Sequence, residues 1–361
     1  MTKAPSPFSA HNPRLQTAVD ATSLNAMSKC WRFYKYTILD GWRTSSVDLE
    51  YGILYGGALE QGDRARATGA TLEEAQMVSF KWVLERSGEH EGDGTWRPWG
   101  GEWKEQWHCL HAPKSGKKCH YAHKGKWFLT DAPSICGECG SGIESEVRWL
   151  PYDKIKHRGS LVRSIVWYWE EQIAGGNPLT VYVFPNGTVG SELSFRIPLG
   201  IKNKYDEEYL LCGYLDGIVE SGIERFILER KSTKSALGRF YFSTFSPNTQ
   251  IDTYDLAASV IFKDLGIKGV MLEAGQVLVG GAHFSRQIIH RTEAQREEWL
   301  TDLTAILREA EERAESGEYP MNRSACYFCV FKGACSLDPA RRDAFIAGEF
   351  SKGHWNPLEE R

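Results

Sequence analysis

The stretch "LCGYLDGIVESGIERFILERKST", residues 211–233, constrains the fold most strongly because it predicts a β-hairpin. Strands are expected over Tyr209–Glu220 and Glu224–Ser232, and Ser221 and Gly222 supply the turn between them. The rest of the chain must therefore pack around at least one antiparallel pair of strands.

Charged residues occupy this hairpin at positions where a buried sheet would carry Val or Ile. Side chains alternate between the faces of a strand, so Glu229 and Lys231 share one face of the second strand. On the first strand, Asp216 is expected to share a face with Tyr214 and Ile218. The hairpin can thus bring Asp216 close to Glu229 and Lys231. Two carboxylates and an ammonium on a half-apolar surface are costly unless something uses them, such as a bound divalent cation.

The same residues also fit a solvated, charged strand face. The pattern Glu-x-Lys occurs a second time in this chain, at Glu102 and Lys104. Further along, Gln250 and Tyr254 lie four residues apart on a predicted helix and so share one face. Taken alone, such a pair is typical of a protein surface. The other motifs must decide between a charged surface and a cation site.

The composition is that of a globular protein with 361 residues, of which 42% are hydrophobic and 25% charged. That length can form one large core or two smaller ones. A net charge of −4 argues against a uniformly basic surface for nucleic acid, so any such contact must come from local patches. No apolar run predicts a membrane span, and the first 16 residues lack the apolar segment of a signal peptide. We therefore expect a cytoplasmic protein in a reducing environment.

Nine cysteines in such a protein indicate metal sites rather than disulfides. Cys326, Cys329 and Cys335 form a C-x2-C-x5-C run near the C-terminus, and Cys30 lies near the other end. Four thiolates would satisfy either a zinc ion or an iron–sulfur cluster, and either would tie the two ends together. Cys212, in the first hairpin strand, is expected to be a small buried hydrophobe.

A second group of cysteines predicts a zinc site: Cys109, Cys119, Cys136 and Cys139. A histidine at position 108, 111, 120 or 123 could replace one of them. Tryptophans of the same segment, Trp96 and Trp99 among them, are expected to pack around this metal. The stretch 109–126 holds five lysines and no acidic residue: Lys114, Lys117, Lys118, Lys124 and Lys126. It is either a basic patch that contacts DNA phosphates or a solvated loop.

The order of the predicted elements favours an α/β sheet flanked by helices. Helices are expected first, then a run of strands that includes the hairpin, then a helix, another strand pair and a final helix. The helices are predicted over 23–39 (with its cap near Thr22 or Ser23), 47–62, 71–88, 153–173, 248–265 and 293–316. Residues 88–150 show no long amphipathic period and form an insertion with its own organisation.

These motifs, in this order, resemble the PD-(D/E)XK nuclease superfamily. The resemblance is to the RecB-like branch with a four-cysteine iron–sulfur cluster, which includes CRISPR-adaptation exonucleases and AddB-type helicase–nuclease domains. It is carried by "SLNAMSKCWRFYKY", "GYLDG" (G-x-x-D), "LERKST" (E-x-K), "QIDTY" (Q-x-x-x-Y) and "CYFCVFKGAC". It covers about 23–87 and 150–340, and the insertion lies outside the pattern.

The resemblance implies a role for each residue of the hairpin site. Asp216 and Glu229 would hold one or two Mg²⁺ or Mn²⁺ ions next to the scissile phosphate. Lys231 would orient the attacking water or balance the charge that develops on phosphorus. Gln250 and Tyr254 would steady the DNA strand and the lysine.

The resemblance also implies a restriction-endonuclease-like central mixed sheet flanked by helices. The insertion would form a zinc-binding subdomain. A C-terminal region would pack on the first helix and hold a 4Fe–4S cluster through Cys30, Cys326, Cys329 and Cys335. We predict four parts: 1–87, the zinc-binding insertion 88–150, the nuclease core 151–320, and the cysteine region and tail 321–361.

Two residues depart from the family pattern. Many relatives carry a metal-binding histidine on the second helix within G-x-x-x-H-x-x-L-E, and this chain has "GILYGGALE" with Gly56 at that position. Glu60, one turn further on, could supply the missing ligand directly or through water, or it could be an ordinary surface residue. Arg230 stands where an apolar residue is usual, and the sequence offers no account of it.

The expected function is a metal-dependent deoxyribonuclease, best matched to an exonuclease on single-stranded DNA or DNA ends. Recombination, repair or CRISPR-type adaptation is the expected setting, with helicase or adaptation proteins as partners, and a phage origin would suit a free-standing enzyme. The alternatives are a non-catalytic DNA-binding or scaffold subunit that kept the fold, and a zinc-containing RNA-processing enzyme.

Overall fold

The computed structural model describes residues 5–44, 46–90, 96–110, 128–129, 135–136, 139–175 and 179–359. The helices are α1 (Ala21–Lys29), α2 (Trp31–Tyr34), α3 (Val47–Ala67), α4 (Leu72–Arg86), α5 (Arg158–Gly175), α6 (Arg239–Ser243), α7 (Thr249–Ile261), α8 (Glu293–Ser316), α9 (Lys332–Ser336) and α10 (Pro339–Glu349). The strands are β1 (Ala18–Val19), β2 (Trp42–Arg43), β3 (Gly88–His90), β4 (Trp96–Pro98), β5 (Gly101–Cys109), β6 (Phe128–Leu129), β7 (Ile143–Pro151), β8 (Thr180–Val181), β9 (Ser191–Lys202), β10 (Glu208–Ser221), β11 (Glu224–Thr233), β12 (Val270–Val277), β13 (Ala282–Ile289) and β14 (Ser351–Lys352). Within this part of the chain, no helix is long and apolar enough to cross a membrane.

A mixed sheet forms the centre of the molecule. The predicted hairpin is β10 and β11, and it turns at Gly222, whose φ of 64° lies in the left-handed region that glycine adopts without strain. β11 pairs in parallel with β12, which pairs antiparallel with β13. On its other side β10 pairs antiparallel with β8 and β9, whereas β1 pairs in parallel with Leu210 and Leu211 on the edge of β10 opposite to β9.

Helices cover both faces of this sheet. α1, α7 and α8 pack on one face, where their buried side chains, such as Leu24, Ile251 and Leu307, form one core with the strands. α3, α4 and α5 form a second core on the other face around residues such as Leu59 and Ile165. The structure therefore confirms a mixed α/β architecture with a central sheet flanked by helices.

The first predicted helix is interrupted at its cysteine. α1 begins after Asp20, whose side chain accepts a hydrogen bond from the Ser23 amide, so the cap is Asp20 and not Thr22 or Ser23. Cys30 then has extended backbone angles, and a π-helical turn over Lys35–Leu39 follows α2. The single helix predicted over 23–39 is therefore wrong, because the chain bends to turn Cys30 toward the C-terminal region.

The strand alternation around Asp216 also differs from the prediction. Leu215 and Ile218 both lie in the core that contains α7, although they are three residues apart. The Tyr214 hydroxyl donates a hydrogen bond to the carbonyl of Glu359 in the C-terminal tail. Tyr214 and Ile218 therefore do not share a face, since the alternation changes phase between Leu215 and Ile218, as it does at a β-bulge. Asp216 lies within this irregular step.

The described part of the insertion consists of small antiparallel sheets. β3 pairs with β4, and β5 pairs with both β6 and β7. The ring of Trp99 packs against Tyr51 of α3 at 6.1 Å, and the Arg158 guanidinium lies 4.6 Å from the ring centre of Trp96. The expectation that these two tryptophans surround a metal is wrong, because they fasten the insertion to the helical layer.

The side chain of Arg230 is buried in a network of charged groups on the face of β11 that is covered by α3 and α5. Its Nε donates to Glu273 Oε2 at 2.8 Å, its Nη1 pairs with the Asp63 carboxylate, and its Nη2 lies 3.3 Å from the Tyr168 hydroxyl. Arg286 donates to the other oxygen of Glu273 at 2.7 Å. Two carboxylates, two guanidiniums and the Tyr168 hydroxyl, one from each element, thus join α3, α5, β11, β12 and β13. This network explains why an arginine stands at position 230, which the sequence alone could not explain.

The charges in this network depend on one another. Burial would raise the pKa of Glu273, but the guanidiniums of Arg230 and Arg286 outweigh it and hold that pKa below its ordinary value. Burial raises the pKa of Asp63, and Arg230 opposes that rise. Removing one member of such a group leaves an uncompensated charge in the interior, which typically costs about 3–5 kcal/mol.

We therefore expect Arg230→Met to lower the free energy of unfolding by about 3–5 kcal/mol in urea denaturation at pH 7. Arg313→Met serves as a control, because Arg313 forms a partly exposed pair with Glu309 one turn away on α8. The control should lose no more than about 0.5 kcal/mol. Adding Asp63→Asn to the Arg230 variant should restore part of the loss, since it removes one buried charge. Equal losses in the two single variants would contradict a structural role for the network.

Candidate active site and cysteine centres

β10 and β11 separate at Asp216. The two strands pair from Ser221 and Glu224 as far as Gly217 and Leu228. Beyond that point the Arg230 backbone amide donates to the side-chain oxygen Oδ2 of Asp216 at 2.7 Å instead of to a backbone carbonyl of β10. From there β10 continues along β9 while β11 continues along β12. The Asp216 carboxylate therefore lies in the fork between the two strands.

The predicted site residues on β11 and α7 form a continuous chain of contacts. The Lys231 ammonium forms an ion pair with Glu229 Oε1 and donates to Gln250 Oε1 at 2.9 Å. Gln250 Nε2 in turn lies 2.9 Å from the Tyr254 hydroxyl. Asn248 begins α7 by accepting hydrogen bonds from its first amides, which fixes the end of the helix next to Lys231. The structure thus brings together Glu229, Lys231, Gln250 and Tyr254 with Asp216 beside them.

Glu229 is the most constrained acid of the site. Its side chain is 2% exposed, and its Oε2 atom is buried without a hydrogen-bond partner among the described residues. Burial raises the pKa of Glu229 to about 7, Lys231 opposes this rise, and the nearby carboxylates of Asp216 and Glu192 add to it. A buried carboxylate oxygen without a partner is costly in the absence of a bound cation or proton.

Glu60 makes its ion pair with Arg64 on the next turn of α3. A Cβ atom added to Gly56 would meet nothing within 4 Å, and one added to Gly52 would lie 3.9 Å from Ser232 Oγ. Gly52 on α3 therefore lies over the end of β11, and the carboxylate of Glu60 is paired with Arg64.

Sequence inspection missed Glu192, at the start of β9. Its φ of 49° is left-handed, which is uncommon for a residue other than glycine, Asn or Asp. Leu193 pairs with Leu215, so Glu192 lies level with Asp216 across the strand pair. A glutamate at a strand start carries no sequence signal of its own, and only the backbone angle and the register identify it.

All four cysteines predicted near the chain ends line one cavity: Cys30, Cys326, Cys329 and Cys335. The Asn322 amide donates to Cys30 Sγ at 3.3 Å, and its side-chain amide donates to the Lys29 carbonyl at 2.9 Å. No three of these four sulfur atoms lie within 4.8 Å of one another. A single tetrahedral zinc ion would place its sulfur ligands about 3.8 Å apart. The cavity therefore spreads its thiols more widely than one ion requires.

The thiols of Cys109, Cys136 and Cys139 form a closer group that could hold a metal ion. Their sulfur atoms all lie within 4.8 Å of one another, and Cys109 Sγ is 3.3 Å from Cys139 Sγ. Gly140, with a φ of 69°, donates its amide to the Cys136 carbonyl and so closes the turn between the two ligands. The fourth predicted ligand, Cys119, lies outside the described residues, as do Lys114, Lys117 and Lys118.

Cys212 is fully buried between Ala18 and Leu358 in a small core of its own. Burial raises the pKa of this thiol to about 12, and the nearby Asp20 adds to the effect. The prediction that Cys212 is a small buried hydrophobe is confirmed.

No family model and no curated protein matches this chain. Among solved structures, the chain is similar to the one described as "Crystal structure of SSO0001", with 15% sequence identity and a TM-score of 0.22. The match covers 42% of this chain and 59% of that chain, so this protein spans about three fifths of the length of that structure. At such a TM-score the likeness supports no inference about fold or function.

The raised pKa of Glu229 predicts how stability without metal depends on pH. The folded-state pKa of about 7 lies above the ordinary value of 4.5, so the folded protein retains an extra proton between these values. This proton stabilises the folded state by about 3 kcal/mol at most. The stabilisation is complete below pH 4.5 and is lost as the pH rises through 7. Relative to Glu229→Gln, the wild type in EDTA should therefore lose about that much unfolding free energy between pH 4.5 and pH 8.

Urea denaturation across this range measures the difference. Glu224→Gln is the matched control, because Glu224 is an exposed glutamate at the turn of the same hairpin. Its stability should follow the wild type at every pH. If the unfolding free energies of the wild type and Glu229→Gln change in parallel with pH, the pKa of Glu229 is not raised in the folded protein.

Proposed function

We propose that this protein is a metal-dependent DNA nuclease with a restriction-endonuclease-like core. The observation that carries the proposal is the fork at Asp216, where two carboxylates and an ammonium meet next to the Gln250–Tyr254 pair. The same residues could have formed a solvated charged face. A side chain of Glu229 that is 2% exposed does not fit that alternative.

Asp216 and Glu229 have the oxygen donors that Mg²⁺ and Mn²⁺ prefer. The buried Oε2 of Glu229 has no protein partner among the described residues, which is the condition expected of an atom that contacts a cation. A bound divalent ion would supply Lewis-acid stabilisation of the phosphate and an activated water. These two residues would hold it.

The remaining residues position the lysine. Glu229 and Gln250 hold the Lys231 ammonium from two directions. Burial lowers the pKa of Lys231, but Glu229 and Asp216 together outweigh burial and raise it. Lys231 therefore stays protonated at neutral pH and can donate to a phosphate oxygen or to a water molecule. The Tyr254 hydroxyl holds the Gln250 amide in place, and through Gln250 it helps to position Lys231.

Asp216→Ala, Glu229→Ala and Lys231→Ala should each lower Mg²⁺- or Mn²⁺-dependent cleavage of labelled DNA by at least about 100-fold. Glu102→Ala and Lys104→Ala are the controls, because these residues form an exposed pair of the same sequence pattern on β5. The controls should cleave like the wild type, and circular dichroism should show all five variants folded. Undiminished cleavage by the Asp216 and Glu229 variants would disprove the assignment.

The choice of substrates in that assay separates the alternatives. Linear single strands, duplexes with free ends, closed circles and RNA distinguish an exonuclease from an endonuclease and from an RNA-processing enzyme. One observation favours a non-catalytic DNA-binding subunit, namely that Gly56 offers no side chain to the site and Glu60 pairs with Arg64. DNA binding without cleavage of any substrate would support that alternative.

We further propose that the cavity of four cysteines near the chain ends holds a 4Fe–4S cluster. Its donor set is four thiolates, and the wide spacing of the sulfur atoms suits a cluster of several irons better than one zinc ion. The closer thiols of Cys109, Cys136 and Cys139 suit zinc, with Cys119 as the fourth ligand. The lysines of the insertion would then contact DNA phosphates from a fixed scaffold.

Protein purified without oxygen should be brown, with broad absorbance near about 400 nm and about four irons per chain. Changing Cys326, Cys329 or Cys335 to Ser should remove the colour, because each loses a thiolate ligand. Cys212→Ala should keep it, since Cys212 does not line this cavity and is buried with Ala18 and Leu358 in a separate small core. A colourless, folded wild type with two zinc ions per chain would show that the first site binds zinc instead.

A further inference from the structure

We infer that Glu192 is a third carboxylate ligand of the divalent-cation site at the fork, an inference that rests on the proposed nuclease function. It concerns a residue on β9, outside every motif that the sequence pattern offered. Three features of the described structure lead to it: the register of β9, the backbone of Glu192 and the unsatisfied oxygen of Glu229.

The register places Glu192 next to Asp216. β9 and β10 pair at Leu193 and Leu215, so the residues immediately beyond them, Glu192 and Asp216, lie side by side at the point where β10 and β11 separate. Electrostatics agrees with this placement, because the Glu192 charge raises the pKa values of both Glu229 and Tyr254. The charge of Glu192 therefore acts on the carboxylate of β11 as well as on that of β10, although the oxygens of Glu192, Asp216 and Glu229 do not all lie within 4.8 Å of one another.

The backbone of Glu192 is held in an unfavourable conformation from both sides. Before it, the Gly190 amide donates to the Tyr182 carbonyl at 2.8 Å, and the Gly190 carbonyl accepts from the Ile218 amide at 2.7 Å. After it, the ladder with β10 begins. A left-handed backbone is strained for a residue other than glycine, and Gly or Asn would avoid most of this strain. Folding alone thus favours a different residue at this position.

The unsatisfied oxygen of Glu229 points to the ligand. Its side chain is 2% exposed, and Oε2 has no hydrogen-bond partner among the described residues. The negative charges of Asp216 and Glu192 increase the free-energy cost of burying a charged Glu229 oxygen without a partner. A positive ion bound between the carboxylates would remove this cost. Mg²⁺ and Mn²⁺ are bound through carboxylate oxygens and water, so three carboxylates around one position form a suitable donor set. Glu192 would contact the ion directly or through one of its waters.

Mn²⁺ titration of the folded, full-length protein without DNA tests the inference, with calorimetry as the measurement. Glu192→Gln removes the charge and keeps the size, and Glu192→Gly also removes the backbone strain. Both variants should bind Mn²⁺ at least about 10-fold more weakly than the wild type. Glu224→Gln, which changes an exposed glutamate at the turn between β10 and β11, should bind like the wild type. In EDTA, Glu192→Gly should be at least as stable as the wild type, whereas a purely structural glutamate would lower stability when removed.

Asp216→Asn in the same titration separates this inference from the function on which it rests. If Asp216→Asn loses Mn²⁺ and both Glu192 variants bind like the wild type, Glu192 is not a ligand and the proposed nuclease site stands. If Asp216→Asn and the wild type bind Mn²⁺ equally, or neither binds it, both proposals are overturned. Weaker binding by the Glu192 variants, with an unchanged Glu224 control, supports the third ligand.

Discussion

The buried guanidinium of Arg230 holds the central sheet and one helical layer in a single arrangement. It joins α3 through Asp63 and β12 through Glu273, and it is itself part of β11. Because neighbouring residues of a strand point to opposite faces, this anchor turns Glu229 and Lys231 to the other side, toward α7. A slip of one residue would place Glu229 among the acids of the network and Arg230 in the fork. The network therefore sets the register on which the candidate site depends.

The buried carboxylates on the two faces of β11 differ in how completely they are paired with positive charges. On the α3 side, the carboxylates of Asp63 and Glu273 both pair with guanidiniums, which outweigh the effect of burial at Glu273 and oppose it at Asp63. On the α7 side, burial and neighbouring acids raise the pKa of Glu229, and one of its oxygens lacks a partner among the described residues. A fold selected only for stability would compensate both faces in the same way. The imbalance is typical of a functional site, where stability is given up for binding.

The sequence predicted the parts of the site that depend on local pattern. The hairpin and the shared helix face of Gln250 and Tyr254 follow from residue spacing, and the structure has them. What it could not predict depends on contacts between distant segments. The partners of Arg230 come from α3 and β12, and the left-handed angle of Glu192 is imposed by hydrogen bonds to neighbouring strands. The break at Cys30 likewise follows from Asn322, which is 292 residues further along the chain.

The closure of the chain ends does not depend on the cysteine cavity alone. β2 pairs with β14, so residues next to the first and last helices are joined by backbone hydrogen bonds. The indole of Trp355 donates to Asp20 at 2.8 Å, and Arg196 donates to the Leu358 carbonyl at 2.6 Å, so the tail is also fastened to α1 and β9. The cavity itself is backed by a small core around Phe331. Loss of the proposed cluster would therefore be expected to loosen the segment that carries the C-terminal cysteines, while these other contacts hold the tail.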